Sequence, residues 1–410
     1  MNRPLEGLTV IDLTRALAGP YATLLLAGLG AKVIKVEEPR HGDLARENSP
    51  YLGRDGVLVE RRHDDDISLS HLTRARGKYG VSLDLKQAVG REVFFDLVRQ
   101  ADIVVENFTA GTADRLGVGY AACAAANPRI VFASLSGFGA DDPGGGKAMD
   151  VIIQALSGAM FTSGEPGHPP VRIGIPIADM LAPVFTVIGI LSAIEQRHRT
   201  GTGQHVDVSM LGALTSFVAI ENWSAMAAAG MPARTGLTVQ RLSPFGVFEC
   251  ADGYVAIVAV HEPLARGLFA AMGRSDLSED PRFANRDARV ANAEVLEATI
   301  NDWSRRLPLA EVIRLLDEQG VPVAEVKHPE DALVDPRVVA RHETMAVEHP
   351  SYGSSIDLRT AGVPIRFSGA ETGFDEALPV QIGEHNDGIY KGLLGYSDER
   401  LAELRAAGAI

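Results

Sequence analysis

Along the first 140 residues, short apolar β-branched runs alternate with stretches whose apolar positions recur at helical spacing. LTVIDL (8–13) is a run of strand length, PYATLLLAGLG (20–30) has Pro at its start and Gly at its end as helices do, and AKVIKVE (31–37) is again a strand. This succession predicts a βαβ unit. It continues through a helix over 87–100 and strands over 101–108 (ADIVVENF) and 129–139 (RIVFASLSGFG), which predicts an α/β fold with a doubly wound parallel sheet. A long helix is expected from Asp179 to about Thr200, stopped by the glycines of RTGTG, then a strand over 204–210 and a helix over 211–230.

Beyond residue 240 the pattern changes. FGVFECADGYVAIVAV (245–260) reads as a β-hairpin turning at Ala251-Asp252-Gly253, and the segments up to Gln319 read as mostly helical. The tail from Gly362 is loop-rich and closes on one short amphipathic helix. The expected organisation is a Rossmann-like large domain from 1–220 and 340–410, with a smaller α+β domain over 225–335.

Composition narrows the chemistry. The 410 residues are 46% hydrophobic and 22% charged, ordinary globular usage that excludes coiled coil, collagen and wholesale disorder. Thirty-nine Lys and Arg against 53 Asp and Glu leave a charge of −14, the wrong sign for a partner such as nucleic acid or an anionic membrane, so an anionic ligand needs a local basic pocket. Cys123 and Cys250 stand far apart without metal-ligand spacing, which predicts neither a disulfide framework nor a zinc site. The start MNRPLEGLTVIDLT lacks signal-peptide character, and the apolar run 180–194 is shorter than a span of ~20 residues and contains Pro183. A cytoplasmic protein that crosses no membrane is expected.

The familiar nucleotide and hydrolase signatures are missing. LAGLGAK and GFGADDPGGGK match neither GxxxxGK[ST] nor GxGxxG, so Glu37 and Glu38 lack the context of a ribose-binding acid, and no HExxH, CxxC or GxSxG occurs.

The blocks LEGLTVIDLTRALAGPYATLLLAGLGAKVIKVEEPRHGD, RGKYGVSLDLK, VVENFTAGTADRLGVGY, NPRIVFASLSGFG, PPVRIGIPIADM and RTGTGQHVDVSM occur in that order. Together they resemble the class III coenzyme A-transferase family, most closely its dicarboxylate-using members such as succinate–hydroxymethylglutarate CoA-transferase. The resemblance implies an intertwined homodimer and transfer of coenzyme A from an acyl-CoA donor to a carboxylic acid. It implies no metal and no tightly bound cofactor, the coenzyme A thioester being a substrate. The nucleophile falls at Asp179 in IGIPIADM; an Asp at a helix start is favoured as the carboxylate, and although position alone favours an ordinary N-cap, the resemblance reverses that reading. Coenzyme-lining positions fall at Arg76, Lys78, Asn107, Phe108 and Arg115. Arg40 is added because the family's basic residue after IKVE is Glu38 here.

Departures from the family pattern refine the expectation. The racemase branch carries a His-Asp pair where this chain has Lys147-Ala148-Met149-Asp150, so proton abstraction lacks its base. Leu17 stands where oxalate users carry Gln, which argues against formyl-CoA transferase activity. Asp150 is left as a substrate-site or helix-capping residue. Arg172 is placed to fork onto the distal carboxylate of a dicarboxylate such as succinate, or onto a protein acid. Glu384 and His385 of GEHN are candidates to close the site. The alternatives are an acyl-CoA racemase or isomerase and a non-catalytic coenzyme A-binding protein.

Overall fold

The computed structural model describes residues 2–142, 146–239 and 241–410. It divides into two compact units: the chain up to Ser157 with Gly174–Phe217 and Leu333–Ile410, and Gly158–Ile173 with Val218–Ala332. The segment Gly158–Ile173, inside the large domain of the sequence reading, belongs to the second unit.

In the first unit six parallel strands lie in the order Lys78–Ser82, Lys32–Glu37, Thr9–Asp12, Ile103–Glu106, Val131–Ser136 and His205–Ser209. Numbered along the chain this is 3-2-1-4-5-6, the doubly wound dinucleotide-binding order. Successive strand residues point to opposite faces, and both faces are covered. Ile11, Ile34, Val104 and Phe132 pack on the helix Ala88–Gln100 through Val93, Phe94 and Leu97. Val10, Val33, Ile103 and Val131 pack on the helices Ala18–Gly28 and Ile177–Thr200.

Helix Ile177–Thr200 starts two residues before Asp179, and by length and composition alone it could cross a membrane. Its Val187, Ile190, Ala193 and Ile194 are buried against the sheet, and buried Arg197 is paired with Asp102 at 2.9 Å, the packing of a core helix.

The outer edge of strand Lys78–Ser82 is closed by residues from the tail. Gly77 N–H donates to Ala377 O, Gly80 N–H to His385 Nδ1, Ser82 N–H to Asn386 Oδ1, and Tyr390 Oη–H to Ser82 O. The expected single C-terminal helix is two, Asn386–Gly392 and Asp398–Ala406.

In the second unit the predicted hairpin is present as Phe245–Cys250 and Gly253–Val258, and Val323–Glu325 adds a third antiparallel strand. Helices Glu262–Ala271, Ala293–Ser304 and Leu309–Glu318 bury Leu268, Phe269, Leu296, Ile300, Val312 and Leu316 against it. The helix expected over 211–230 is broken: Met210–Val218 ends, and Trp223–Ala228 restarts where Asn222 accepts from Ala225 N–H.

Candidate active site

In a sheet of this order, the strand connections diverge between strands Thr9–Asp12 and Ile103–Glu106, leaving a crevice beyond their carboxyl ends. A cavity of about 180 Å³ lies there, lined among others by Leu17, Asn107, Phe108, Gly137, Met149 and Asp179. Of the residues singled out in the sequence, Leu17, Asn107, Phe108 and Asp179 are brought together.

The wall that carries Leu17 is held from several sides. Ala16 takes a left-handed backbone (φ 66°), which a non-glycine residue adopts only under constraint. Its N–H donates to Asp43 Oδ1 at 2.8 Å, and its carbonyl accepts from Arg74 Nη1 at 2.8 Å. Asn107 clamps the preceding residue: Oδ1 accepts from Arg15 N–H at 2.7 Å and Nδ2 donates to Arg15 O at 2.9 Å. A Cβ on Gly19 would fall 2.4 Å from Thr14 Cβ and 2.9 Å from Asn107 Cγ, so the helix after Leu17 reaches this loop only with glycine there.

Beneath the wall lies a buried charge system. Lys78 Nζ donates to Asp12 Oδ2 (3.0 Å), Pro20 O (2.9 Å) and Thr23 Oγ1 (2.7 Å). Lys35 Nζ donates to Thr14 O and to Asp43 Oδ2 (2.8 Å). Burial opposes the charges on Asp12 and Asp43. Lys35 and Lys78 outweigh it at Asp12, holding that carboxyl below the usual range, and Lys35 with the amides of Ala45 and Ala16 holds Asp43 at about 2. Burial takes Lys78 down to about 8, against the pull of Asp12.

Asp179 is the third residue of its helix; Pro176, not Asp179, occupies the N-cap. The expectation that the helix start favours its charge is overridden: burial, with Asp150 adding to it, pushes the carboxyl up to about 6 against the pull of Arg74. Asp150 is the first residue of helix Asp150–Leu156, but its Oδ1 accepts from Ala178 N–H at 2.9 Å and its Oδ2 from Gln154 Nε2 at 2.7 Å. Oδ1 thus ties Asp150 to the first turn of the Asp179 helix, while Oδ2 is held within its own helix.

The other candidates are not among the residues lining this cavity. Lys78 is 1% exposed with all three N–H groups engaged, so it has no donor left for a ligand. Arg76 donates from Nε to Thr73 O and from Nη2 to Ala361 O, and its guanidinium lies 4.7 Å from the Phe374 ring centre, burial lowering it to about 10. Arg40 is exposed beside a second cavity of about 300 Å³ with His41, Arg61 and His71. Arg115 is exposed and donates to Thr112 Oγ1. Arg172, exposed in the second unit, donates to Ile173 O. Glu384 Oε2 accepts from Gln381 N–H, while His385 Nδ1 accepts from Gly80 N–H and its ring meets Tyr79 edge-on. His385 fastens the tail to the sheet edge, and Glu384 holds a turn within the tail.

The sequence reading missed Arg74, the last residue of helix Leu69–Arg74; the basic run RARGK was its only signal. Among the described residues, no group of three or more His, Cys, Asp or Glu side chains could hold a metal ion.

A sequence model described as CoA-transferase family III matches residues 5–386. The chain is 37% identical over 392 residues to an acetyl-CoA:oxalate CoA-transferase of Acetobacter aceti, covering 95% of each. It is 36% identical over 369 residues to a succinyl-CoA:mesaconate CoA-transferase of Haloarcula hispanica, covering 89% of this chain and 90% of the other. The crystal structure of a CAIB/BAIF family protein from Brucella suis superposes with a TM-score of 0.82 at 32% identity, covering 96% of this chain and 100% of that one.

Proposed function

Because the chain belongs to CoA-transferase family III, we propose that it moves coenzyme A from an acyl-CoA donor to a dicarboxylic acid by covalent catalysis at Asp179. The observation that carries this reading is a half-buried carboxylate, raised to about 6, facing the crevice where the fold binds nucleotide-like ligands. A carboxyl of that pKa is more basic than an ordinary Asp yet mostly ionised at pH 7, which suits a nucleophile.

In the proposed sequence the Asp179 carboxylate attacks the thioester carbonyl, forming a mixed anhydride and expelling coenzyme A thiolate. The thiolate attacks the aspartyl carbonyl, releasing the donor acid and leaving an aspartyl thioester. The acceptor carboxylate displaces the thiolate to form a second anhydride. The thiolate then takes the acyl carbonyl of that anhydride, giving the new acyl-CoA and free Asp179. No net proton is consumed. Because only ionised Asp179 attacks, kcat/KM for the donor is expected to fall about tenfold per pH unit below about pH 6 and to be level above pH 7, as initial rates across pH 4.5–8 will show.

The oxalate and mesaconate in the relatives' names are both dicarboxylates, which favours such an acid here; the oxalate name weakens the argument from Leu17 against that substrate. Racemisation is disfavoured because Lys147-Ala148-Met149-Asp150 lacks the His of the racemase pair.

The same proposal includes a cytoplasmic, interlocked homodimer. Met149, Ile152, Leu156, Ile188 and Phe217 are exposed apolar side chains of the first unit, a surface that suits burial by a second copy. Sedimentation is expected to give a dimer that persists on dilution to nanomolar concentration, whereas a freely exchanging monomer would refute the linked assembly.

A further inference from the structure

A dicarboxylic acid whose one carboxylate reacts at Asp179 brings a second negative charge into the first unit's crevice. Among the described residues lining that crevice there is no Lys or Arg, while Asp142 and Asp179 are acidic. Arg15, whose guanidinium lies 5.6 Å from the Phe108 ring centre, lines a neighbouring cavity with Glu37, Glu38 and Lys86. Lys35 and Lys78 are sealed in the core.

Arg74 remains. It ends helix Leu69–Arg74, and its Nη1 donates to the carbonyl of Ala16, a residue that lines the crevice together with Asp179. Asp43 holds the other side of the same residue through the Ala16 N–H. A guanidinium has five N–H groups, and the bond to Ala16 O occupies one; among the described residues no carboxylate is hydrogen-bonded to it. Its charge acts on both Asp43 and Asp179 without pairing with either, and burial lowers its pKa. A partly buried cation without an anion is costly, and a planar fork with free donors is the group that best takes a carboxylate.

We propose that Arg74 binds the second carboxylate of the dicarboxylic acid that exchanges at Asp179, an assignment that rests on the transfer reading above. It gives Arg74 the role that the sequence suggested for Arg172. Fixed by Ala16 O, the guanidinium keeps its remaining N–H groups for the ligand, and the acid lies between a cation that orients it and a carboxyl that activates it.

The test compares succinate with butyrate as acceptors, succinyl-CoA being the donor for both. The acids share chain length and differ in one carboxylate. Isotope-labelled succinate and mass spectrometry read the new thioester. Wild type is expected to favour succinate. Arg74→Leu should lower kcat/KM for succinate at least 30-fold relative to butyrate and leave the Kd of free coenzyme A within twofold, and Arg74→Lys should recover part of the preference. Equal losses on both acids, or unchanged preference in Arg74→Leu, would overturn the assignment. A tenfold weaker Kd for coenzyme A would do so as well, placing a coenzyme phosphate on the guanidinium instead. Should Arg74→Leu not fold, the succinate-to-butyrate ratio in Arg74→Gln and Arg74→Lys decides the matter by the same criterion. If wild type transfers to neither acid and hydroxylamine leaves Asp179 unmodified, the transfer reading itself has failed, a result distinct from any loss confined to the Arg74 variants.

Discussion

Asp179→Ala and Asp179→Asn are expected to bind coenzyme A as wild type does and to lose transfer by on the order of 10⁴-fold or more, since neither a methyl nor an amide can become an anhydride. With donor alone, hydroxylamine should convert wild-type Asp179 into a hydroxamate, located by peptide mass mapping. A label on Asp150 or Glu384, or substantial turnover by Asp179→Ala, would remove Asp179 from the reaction. A second readout is independent of catalysis. The folded carboxyl titrates near 6, above the ordinary 3.8, so protonated Asp179 is the form the fold prefers. Stability tied to this group is fully present below about pH 4 and is lost as pH rises through 6. Asp179→Asn should therefore unfold at higher urea than wild type at pH 7.5, by about 1–2 kcal/mol after allowance for partial exposure, and show little advantage at pH 4.

The other large effect is expected at Asp12, which contacts no proposed ligand. Its carboxylate lies 3.0 Å from Lys78 Nζ and 3.8 Å from Lys35 Nζ, and it is fully buried. Asp12→Ala leaves two buried ammonium groups with reduced compensation and should cost about 3–5 kcal/mol in urea unfolding. Adding Lys78→Met removes one stranded cation, so the double variant should regain part of the loss instead of adding to it. A single-variant loss below about 1 kcal/mol would show that Asp43 alone suffices for both lysines.

This charge system also explains what could be read from the sequence. The strands at 9–12, 32–37, 103–106, 131–136 and 205–209 were legible because each is a short β-branched run, and the hairpin because Asp252-Gly253 marks its turn. The antiparallel strands Tyr51–Gly53, Gly56–Leu58 and Ile67–Ser68 were missed because two or three residues carry no periodicity, and their pairing is set by tertiary contact. The break before Trp223 had a local sign in Asn222, a preferred N-cap that the apolar run around it concealed. Leu17, Asn107, Phe108 and Asp179 converge because motif order fixes which strand ends they follow. Lys78 was misassigned because a basic residue in a strand looks the same whether it faces a ligand or a buried carboxylate 66 positions away. Arg74 was passed over for its neighbours because only the fold shows that its guanidinium reaches Ala16.

The closure of strand Lys78–Ser82 by the tail has a consequence for synthesis. Ser82 and Asn386, whose bond seals that edge, are 304 residues apart. At translation rates of about 5–20 residues per second, roughly 15–60 s separate the emergence of the strand from that of its cover. Throughout that interval the nascent polypeptide presents a row of open amides and carbonyls with no partner in its own chain, which is the kind of surface that recruits a neighbouring strand. A ribosome that stalls after His205–Ser209 and before the tail releases a fragment holding all six parallel strands yet unable to close their edge, and such a fragment is expected to need chaperone shielding or prompt proteolysis to stay out of aggregates.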